Sequence, residues 1–462
     1  MGWSPFRARA VGAGRVFVLS LDGVSHSFLS RHVPEGAFPN LAQLFAHGDL
    51  RPMATTRPPV STVVWTSYAT GVGPGRHGIY GLIERRPGGY ELFVPGSGDV
   101  LAPTLWGSLG SAGKTTVVVN VPGTWPPVPV RGVLIAPARA AALEEIVTPR
   151  SLAPFLRGIG YRLDVDARAA LAGNKDDLLA DLDAALRKRF EAAFSLLLRE
   201  PWDFFQLHVS ETDRLNHFLW DDYERDAPGY GRAFLALYRR LDEYIGELVD
   251  LLPPGAELVL LSGNGFTRLR REVNLNRALE ELGWLEFLPG QGRRLSAIAP
   301  DARAYSLAPG RVYLHLKGRE PRGMIAGREE YRAFRDGVAA DLLRLADPEN
   351  GRPLIAAALR GEEVNGNPAW PEFPLPASAR HPAPCDLLVV PAEGCEIRGH
   401  LDRECVAGRP EMTGAHAWDD AFVFVRGRRI RSRAPRIVDV CPTVLALMGV
   451  PPDERRDGTS LV

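Results

Sequence analysis

VFVLSLD (16–22) is a short apolar run that ends in a carboxylate. A run of this length, rich in β-branched and aromatic residues, predicts a buried strand. Four similar runs follow along the chain: TTVVVNVP (115–122), DFFQLHVS (203–210), ELVLLSGNG (257–265) and DAFVFVRG (420–427). Segments with helical spacing lie between and beyond them: PNLAQLFAHG (39–48), KDDLLADLDAALRKRFEAAFSLLLRE (175–200), LYRRLDEYIGELVDLL (237–252) and VDVCPTVLALMG (438–449). Strands that alternate with helices in this way predict the α/β class, with a mostly parallel sheet covered on both faces.

The ends of these strands are where a binding site is expected. Open parallel sheets bind their ligands at the carboxyl ends of the strands. Asp22, the segment 210–213 and the pair Gly263-Asn264 all stand at such ends. The sequence therefore predicts that these three places face one cleft.

The length of the chain, 462 residues, exceeds what one hydrophobic core usually supports. Residues 269–399 interrupt the alternation of strands and helices and are rich in Pro, Arg and Gly, as in NGNPAWPEFPLPASARHPAP (365–384). We therefore predict a core made of 1–268 and 400–462 and a cap lobe made of 269–399 that lies over the site. RRPGGYELFVPG (85–96) predicts a smaller surface hairpin.

Charge and composition narrow the classes of partner. The chain holds 55 Lys and Arg against 55 Asp and Glu, which argues against a nucleic acid or an anionic membrane as the main partner. The apolar run near the N-terminus is short and ends in Asp22, so it predicts a strand and not a signal peptide, and no run of about 18 uncharged apolar residues predicts a membrane span. The four cysteines form no CxxC pair and are expected to be reduced thiols of a cytoplasmic protein. A zinc knuckle of Cys385, Cys395 and Cys405 is the less favoured alternative.

Asp213 and His217 are the first candidate metal ligands. They lie four residues apart in ETDRLNHFLW (211–220), so on a helix both side chains share one face. A carboxylate and an imidazole at this spacing suit zinc or a similar divalent ion, although the spacing also arises by chance. His416, in TGAHAWDD, just precedes the last strand-like run and so also lies near the end of an element.

Ser61 is the candidate nucleophile. It opens the helical part of PPVSTVVWTSYATGVGPGRHGIYG (58–81). A hydroxyl at a helix N-terminus lies where backbone N–H groups and the helix dipole favour anions. The alternative is an ordinary N-cap serine.

Together these segments resemble the alkaline phosphatase superfamily, in particular its type I phosphodiesterase/nucleotide pyrophosphatase branch. The segments run in order along nearly the whole chain, from VFVLSLDG to the closing CPTVLALMGVPPDERRDGTSLV. The resemblance implies a three-layer α/β/α sandwich with a cap insertion. It also implies that Asp213, His217 and His416 form one metal site of a phosphoester-cleaving enzyme.

A second metal site is implied by the resemblance, and there the chain departs from the family's pattern. Asp22 matches a metal ligand of this site and Ser61 its nucleophile, with Thr62 leaving an ambiguity of register. The family also places a consecutive Asp-His in a Ser-Asp-His-Gly-Phe turn, and Gly263 and Asn264 stand at those two positions. Glycine supplies no ligand, and a neutral amide oxygen is a poor ligand for zinc. We therefore expect one tight Zn²⁺ at the first site and a weak or absent second metal.

Three functions are open at this point. In the first, the chain is a one-metal phosphoester hydrolase or phosphoryl-group transferase, in which zinc activates water or holds the leaving oxygen and Ser61 helps to hold the anion. In the second, it is a catalytically impaired relative that binds a phosphorylated or sulfated ligand, or a protein partner, in the old cleft. In the third, Ser61 accepts a group in a biosynthetic transfer. The first is favoured because the nucleophile and the complete first ligand set are both present.

Some residues near these motifs have a second interpretation. The expected substrate is a small anionic ester, and Thr62 and Arg319 are candidates for contact with it. For Arg319, in LKGREPRG, a structural role in the cap is the alternative. Trp65 and Trp418 are predicted to be packing residues.

Overall fold

The computed structural model describes residues 14–137, 142–167, 171, 173–364, 382–451 and 454–462. Expectations that concern the start of the chain before residue 14, and most of the Pro-rich stretch of the cap, lie outside the described residues.

A mostly parallel sheet forms the centre of the described chain. Its eight strands stand in the order β2 (Gly48–Met53), β19 (Ala421–Arg426), β9 (Glu257–Leu261), β1 (Val16–Leu21), β8 (Phe204–Val209), β5 (Thr116–Val119), β6 (Gly132–Ile135) and β7 (Val147–Thr148). The five strands from β9 to β6 are mutually parallel, while β19, β2 and β7 run antiparallel to their neighbours. The predicted α/β class with a mostly parallel sheet is confirmed.

Helices cover both faces of this sheet. The described helices are α1 (His26–His32), α2 (Pro39–Phe45), α3 (Ser61–Thr70), α4 (Pro74–His77), α5 (Leu105–Ser111), α6 (Leu143–Ile146), α7 (Ala153–Ile159), α8 (Lys175–Arg199), α9 (Glu211–Glu224), α10 (Tyr230–Leu251), α11 (Leu275–Glu281), α12 (Arg328–Leu342), α13 (Gly361–Val364) and α14 (Val440–Leu447). Successive residues of β1 point to opposite faces. Phe17 and Leu19 join an apolar cluster with α8, α9 and α10, and Val16 and Val18 join another with α3, α5 and α14. The three layers of the α/β/α sandwich follow from this alternation.

A separate apolar cluster lies in the predicted cap, with members from Val273 to Ile397. Small sheets surround it: β12 (Ala304–Leu307), β13 (Arg311–Leu314), β15 (Leu387–Pro391) and β14 (Ile355–Arg360) form one, and β16 (Cys395–Arg398), β11 (Arg271–Asn274) and β17 (Ala407–Gly408) another. The boundaries at 269 and 399 stay a prediction. The pairing of β11 with β17 extends this group of strands beyond residue 399.

The predicted hairpin forms, but its first strand is buried. β3 (Glu84–Arg85) pairs with β4 (Leu92–Phe93). Glu84 accepts from Arg311 of the cap at 2.8 Å, and both side chains are 1% exposed. Arg85 makes a second buried ion pair, with Glu320 at 3.1 Å. These two buried ion pairs therefore link the predicted cap to the core through this hairpin.

Two expectations about composition can be compared with the structure. All four cysteines are free thiols, and within the described residues no group that could hold a metal includes a cysteine. No helix among the described residues combines the length and apolar character that crossing a membrane requires.

We predict that Glu84→Gln destabilises the protein by about 3–5 kcal/mol, because it leaves the Arg311 guanidinium buried without its counter-charge. The change in the free energy of unfolding is measurable by urea denaturation. Glu91→Gln is the matched control in the same hairpin, since Glu91 is 71% exposed and pairs with Arg86 at the surface; its effect should be small. If both variants lost the same small amount of free energy of unfolding, the proposed role of the buried ion pair would be contradicted.

Candidate metal centre and nucleophile

Three neighbouring strands, β9, β1 and β8, end at one edge of the sheet and bring the cleft residues together. Leu21 pairs with Val209, and Ser20 pairs with Leu261. Asp22, which follows β1, donates its backbone N–H to Val209 O at 2.9 Å. The positions after these three strands therefore lie side by side, as the sequence predicts.

Asp213 and His217 reach the cleft from α9, which begins directly after β8. The helix spans Glu211–Glu224, so the two side chains lie one turn apart on one face. His416 comes from the far end of the sequence on the short strand β18 (Gly414–Ala417), which pairs with β10 (Gly265–Arg268) directly after the turn that follows β9. In this pairing His416 lies opposite Phe266.

The three side chains offer one ligand atom each, and these atoms lie within 4.8 Å of one another. His416 Nε2 lies 2.8 Å and His217 Nε2 lies 3.6 Å from Asp213 Oδ1. Ligand atoms about 3.3–3.6 Å apart would surround a tetrahedral ion with bonds of about 2.0–2.2 Å. The observed separations lie around this range, so small side-chain adjustments would let the three residues hold a divalent cation. The metal site itself stays a prediction.

Backbone carbonyls orient both imidazole rings. His416 Nδ1 donates to Pro59 O at 2.6 Å, and His217 Nδ1 donates to Gly414 O at 3.0 Å. A carbonyl oxygen only accepts, so each Nδ1 carries a proton and each Nε2 is left to face Asp213. Metal-binding histidines are typically held in this way.

Arg214, which was not among the predicted site residues, forms an ion pair with the Asp213 carboxylate. Its Nη1 lies 2.8 Å from Asp213 Oδ2, while its Nε and Nη2 donate to both oxygens of Asp164 at 3.3 and 3.1 Å. One oxygen of Asp213 is therefore held by the guanidinium, and the other faces the histidines. Arg214 directly follows Asp213 in the sequence, but no sequence pattern there indicates that the two side chains are in contact.

The charges around Asp213 set the protonation of this group. Burial raises the pKa of Asp213, but His217, His416 and Arg214 together outweigh it and hold this pKa well below its usual range. Burial lowers the pKa of His217 to about 4, against the opposing charge of Asp213. Burial also lowers the pKa of His416, but the hydrogen bond and charge of Asp213, with help from Asp22, raise it to about 9.

Ser61 lies next to Asp22 at the start of α3. Its Oγ donates to Asp22 Oδ2 at 3.5 Å. The N-cap residue is Val60, so Ser61 is the first helical residue and not the N-cap serine that was the alternative. Thr62 directs its hydroxyl to Gly81 O at 3.0 Å, which assigns the cleft-facing hydroxyl to Ser61.

The remaining two positions of the predicted second metal site are also buried. Gly263 and Asn264 follow β9, and both are buried. The amide nitrogen of Asn264 donates to Gly265 O at 3.1 Å, and Asn264 Oδ1 has no hydrogen-bond partner among the described residues. Positions 263 and 264 therefore bring neither a carboxylate nor an imidazole to Asp22, although the His208 imidazole Nε2 lies 3.5 Å from Asp22 Oδ2. The weak or absent second metal stays a prediction.

Arg319 lies in the cap and is engaged there. Its Nη1 and Nη2 donate to both carboxylate oxygens of Asp386 at 3.1 and 2.6 Å, and its Nε donates to Glu320 at 2.9 Å. The side chain is 5% exposed. The geometry favours the structural role over contact with substrate.

Comparisons with known proteins identify a family. A sequence model of the type I phosphodiesterase / nucleotide pyrophosphatase family matches residues 16–419. Among curated protein sequences none is similar enough to count as a match.

Solved structures share the fold. Phosphonoacetate hydrolase from Sinorhizobium meliloti 1021, in complex with phosphonoacetate, is 19% identical with a TM-score of 0.61, over 93% of this chain and 94% of that one. Murine ectonucleotide pyrophosphatase/phosphodiesterase 5 is 15% identical with a TM-score of 0.56, over 96% and 97%. An inactive form of the murine protein in complex with AMP is 14% identical with a TM-score of 0.57, over the same shares of 96% and 97%.

We predict that a divalent cation displaces about one proton when it binds at pH 7. Asp213 is then already ionised and His217 neutral, while His416 is protonated below a pKa of about 9 and must lose its proton to become a ligand. The affinity should therefore rise about tenfold per pH unit between pH 6 and 8.

Isothermal titration calorimetry in buffers of different ionisation enthalpy counts the released protons. His47→Gln is the control, since this exposed histidine lies outside the group and its loss should leave the number unchanged. Release of no proton, or an affinity that does not change with pH, would contradict the assigned protonation of His416.

Proposed function

Because the chain belongs to the type I phosphodiesterase/nucleotide pyrophosphatase family, we propose that it hydrolyses or transfers the phosphoryl group of a small anionic ester with one tightly bound zinc ion. Members of this family are metal-dependent. Asp213, His217 and His416 would hold the zinc, and Ser61 is the nucleophile. The carboxylate–imidazole composition with room for a fourth ligand is typical of catalytic zinc sites.

One contact carries this proposal: the hydrogen bond of 2.6 Å from His416 Nδ1 to Pro59 O. Pro59 stands two residues before Ser61 on the same turn. The bond therefore ties the position of the candidate ligand set to the position of the candidate nucleophile.

The chain's own residues supply most of the chemistry. Ser61 Oγ attacks phosphorus as the bond from phosphorus to the leaving oxygen breaks, and the Ser61 proton passes to Asp22 Oδ2, which already accepts its hydrogen bond. The start of α3 favours the negative charge of the phosphoryl oxygens. When bound, zinc supplies positive charge that stabilises the charge developing in the transition state. Water then cleaves the phosphoserine, or an acceptor hydroxyl takes the group.

The ligands of the solved neighbours support the class of substrate. The bacterial structure holds phosphonoacetate and the murine one AMP, which are both small anions that carry a phosphonate or phosphate group. At 19% and 14% identity they do not specify the substrate of this chain.

A catalytically impaired relative that binds an anion in the same cleft is the second candidate. The observation that favours it is the burial of Gly263 and Asn264 where the family places a carboxylate and an imidazole. Such a protein would bind inorganic phosphate or an aryl phosphate without turning it over.

We predict that the zinc-loaded protein retains about one zinc per chain after desalting, measured by plasma mass spectrometry. Asp213→Asn should lose this zinc, because the site keeps no anionic ligand. Asp164→Asn is the matched control: it removes a partner of Arg214 but no ligand, and should keep the zinc. A metal-free wild type that is fully folded and stable would contradict the one-metal proposal.

We predict that Ser61→Ala lowers kcat for an aryl phosphate or phosphodiester by on the order of 10³-fold or more, since the nucleophile is removed. The phosphoserine should be detectable by mass spectrometry after rapid acid quenching. Thr62→Ala is the comparison, and a much smaller loss is expected because its hydroxyl donates to Gly81 O.

Unchanged turnover in Ser61→Ala, with zinc still required, would exclude the serine route. An equal loss of kcat in Thr62→Ala would instead assign the role of nucleophile to Thr62. Binding of phosphate by a wild type that shows no turnover would favour the impaired relative instead.

A further inference from the structure

The imidazole of His208 is buried behind Asp22, and one of its nitrogens has no partner in the described chain. His208 lies on β8 and is fully buried. Its Nε2 lies 3.5 Å from Asp22 Oδ2 but makes no hydrogen bond to any described residue. A buried polar atom without a partner is rare and costs about 1–3 kcal/mol. This nitrogen therefore indicates a ligand that the chain itself does not supply.

Hydrogen bonds on the other side of the ring decide which nitrogen carries the proton. His208 Nδ1 lies 3.0 Å from Ser20 Oγ. Ser20 accepts from Gln206 Nε2 at 2.9 Å and donates to Leu207 O at 3.3 Å. Because a hydroxyl has a single proton to give, His208 Nδ1 must be the donor to Ser20. A neutral imidazole carries one N–H, so Nε2 presents a lone pair on the side of Asp22.

A lone pair and a carboxylate oxygen repel each other unless positive charge lies between them. An N–H···O hydrogen bond measures about 2.7–3.2 Å, which is shorter than the 3.5 Å from His208 Nε2 to Asp22 Oδ2. The hydroxyl of Ser61 lies at the same 3.5 Å from this oxygen. Two ligands of one tetrahedral ion are about 3.3–3.6 Å apart. Both separations therefore match ligands of a shared cation.

The Asp22 carboxylate is held as the Asp213 carboxylate is held in the first ligand set. Arg214 contacts Asp213 Oδ2, and Asp213 Oδ1 faces the histidines. In the same way, Trp65 Nε1 donates to Asp22 Oδ1 at 3.1 Å, which leaves Oδ2 for a cation. Such outer hydrogen bonds typically orient metal ligands. In both halves of the cleft, one carboxylate oxygen is fixed and the other is available.

Asn264 contributes a second buried atom without a partner. Its side chain is fully buried, and its amide nitrogen donates to Gly265 O at 3.1 Å. Its Oδ1 makes no hydrogen bond to a described residue. Because Leu261 pairs with Ser20, the turn that holds Asn264 lies beside the end of β1. An amide oxygen is a neutral ligand that hard divalent cations such as Mn²⁺ accept.

We infer that the cleft binds a second divalent cation through a ligand set of its own, made of Asp22 Oδ2, His208 Nε2 and Asn264 Oδ1, next to the Ser61 hydroxyl. His208 supplies from β8 the imidazole that the turn after β9 lacks. One imidazole in place of two makes this site weaker than the first, so it fills only after the first zinc. When bound, the cation would supply positive charge beside Ser61. The role of Ser61 as nucleophile rests on the proposed function, whereas the binding of the cation does not.

The experiment adds Mn²⁺ to protein that carries one zinc per chain and counts free Mn²⁺ by electron paramagnetic resonance. The wild type should bind one Mn²⁺ and keep its zinc. Asp22→Asn should abolish this binding, and His208→Phe should weaken it on the order of 100-fold or more, since a ligand is removed. His77→Phe is the matched control: His77 is also fully buried and lies 2.9 Å from a serine hydroxyl, that of Ser67. It should bind Mn²⁺ as the wild type does.

A second measurement needs no variant and so holds even where His208→Phe fails to fold. Electron spin echo envelope modulation of the bound Mn²⁺ detects nitrogen atoms that are bonded to the ion. The wild type should show one histidine nitrogen, which ¹⁵N-labelled histidine identifies. Two nitrogens would place the Mn²⁺ at His217 and His416 instead.

Three outcomes would overturn the inference: no Mn²⁺ bound beyond the zinc, no histidine nitrogen or two of them on the bound ion, or unchanged Mn²⁺ affinity in a folded His208→Phe variant. The count requires no turnover, so the two proposals fail separately. A wild type that binds Mn²⁺ through His208 but hydrolyses no aryl phosphate would refute only the proposed function. Hydrolysis without any Mn²⁺ site would refute only this inference.

Discussion

The register of β9, β1 and β8 is the constraint on which the cleft depends. Because Leu21 pairs with Val209 and Ser20 with Leu261, these three parallel strands end at one level of the sheet. The backbone turns after each of these strands, and the residues that directly follow the strands carry the polar side chains. A slip of one residue would move Asp22 by about 3.3 Å along its strand, far beyond the ~0.5 Å within which catalytic groups must be held. Such a slip would also exchange the two faces of β1, so that Phe17 and Leu19 would enter the apolar cluster that now holds the smaller Val16 and Val18.

The two halves of the cleft have different chemistry. Around Asp213, the Nδ1 N–H groups of His217 and His416 donate to backbone carbonyls, so the Nε2 atoms face inward. They can ligate a cation once His416 has lost its Nε2 proton. Around Asp22 the groups that donate to the carboxylate are the indole of Trp65 and the Ser61 hydroxyl. A cation would satisfy the first half, whereas in the second half the buried atoms His208 Nε2 and Asn264 Oδ1 have no hydrogen-bond partner among the described residues.

Much of this could be predicted from the sequence. The short apolar runs that end in polar residues predict the parallel sheet and the edge at which Asp22 and Asp213 meet. The i, i+4 spacing predicts that His217 shares a helix face with Asp213. His416 could be assigned only through the family resemblance, because its position follows from the pairing of β18 with β10, two short strands without a clear apolar pattern.

The contacts that the sequence could not reveal are those between distant side chains. Trp65 was predicted to be a packing residue, which describes its burial but not its N–H. For His208 the pattern FFQLHV (204–209) shows a polar residue inside an apolar strand, which indicates a buried partner but does not identify Asp22. The most direct test of the whole account is anomalous diffraction at the zinc absorption edge from crystals of the protein loaded with one zinc per chain. The account predicts one anomalous peak, bounded by Asp213 Oδ1, His217 Nε2 and His416 Nε2. A second peak between Asp22 and Ser61, or no peak at the three ligands, would contradict it.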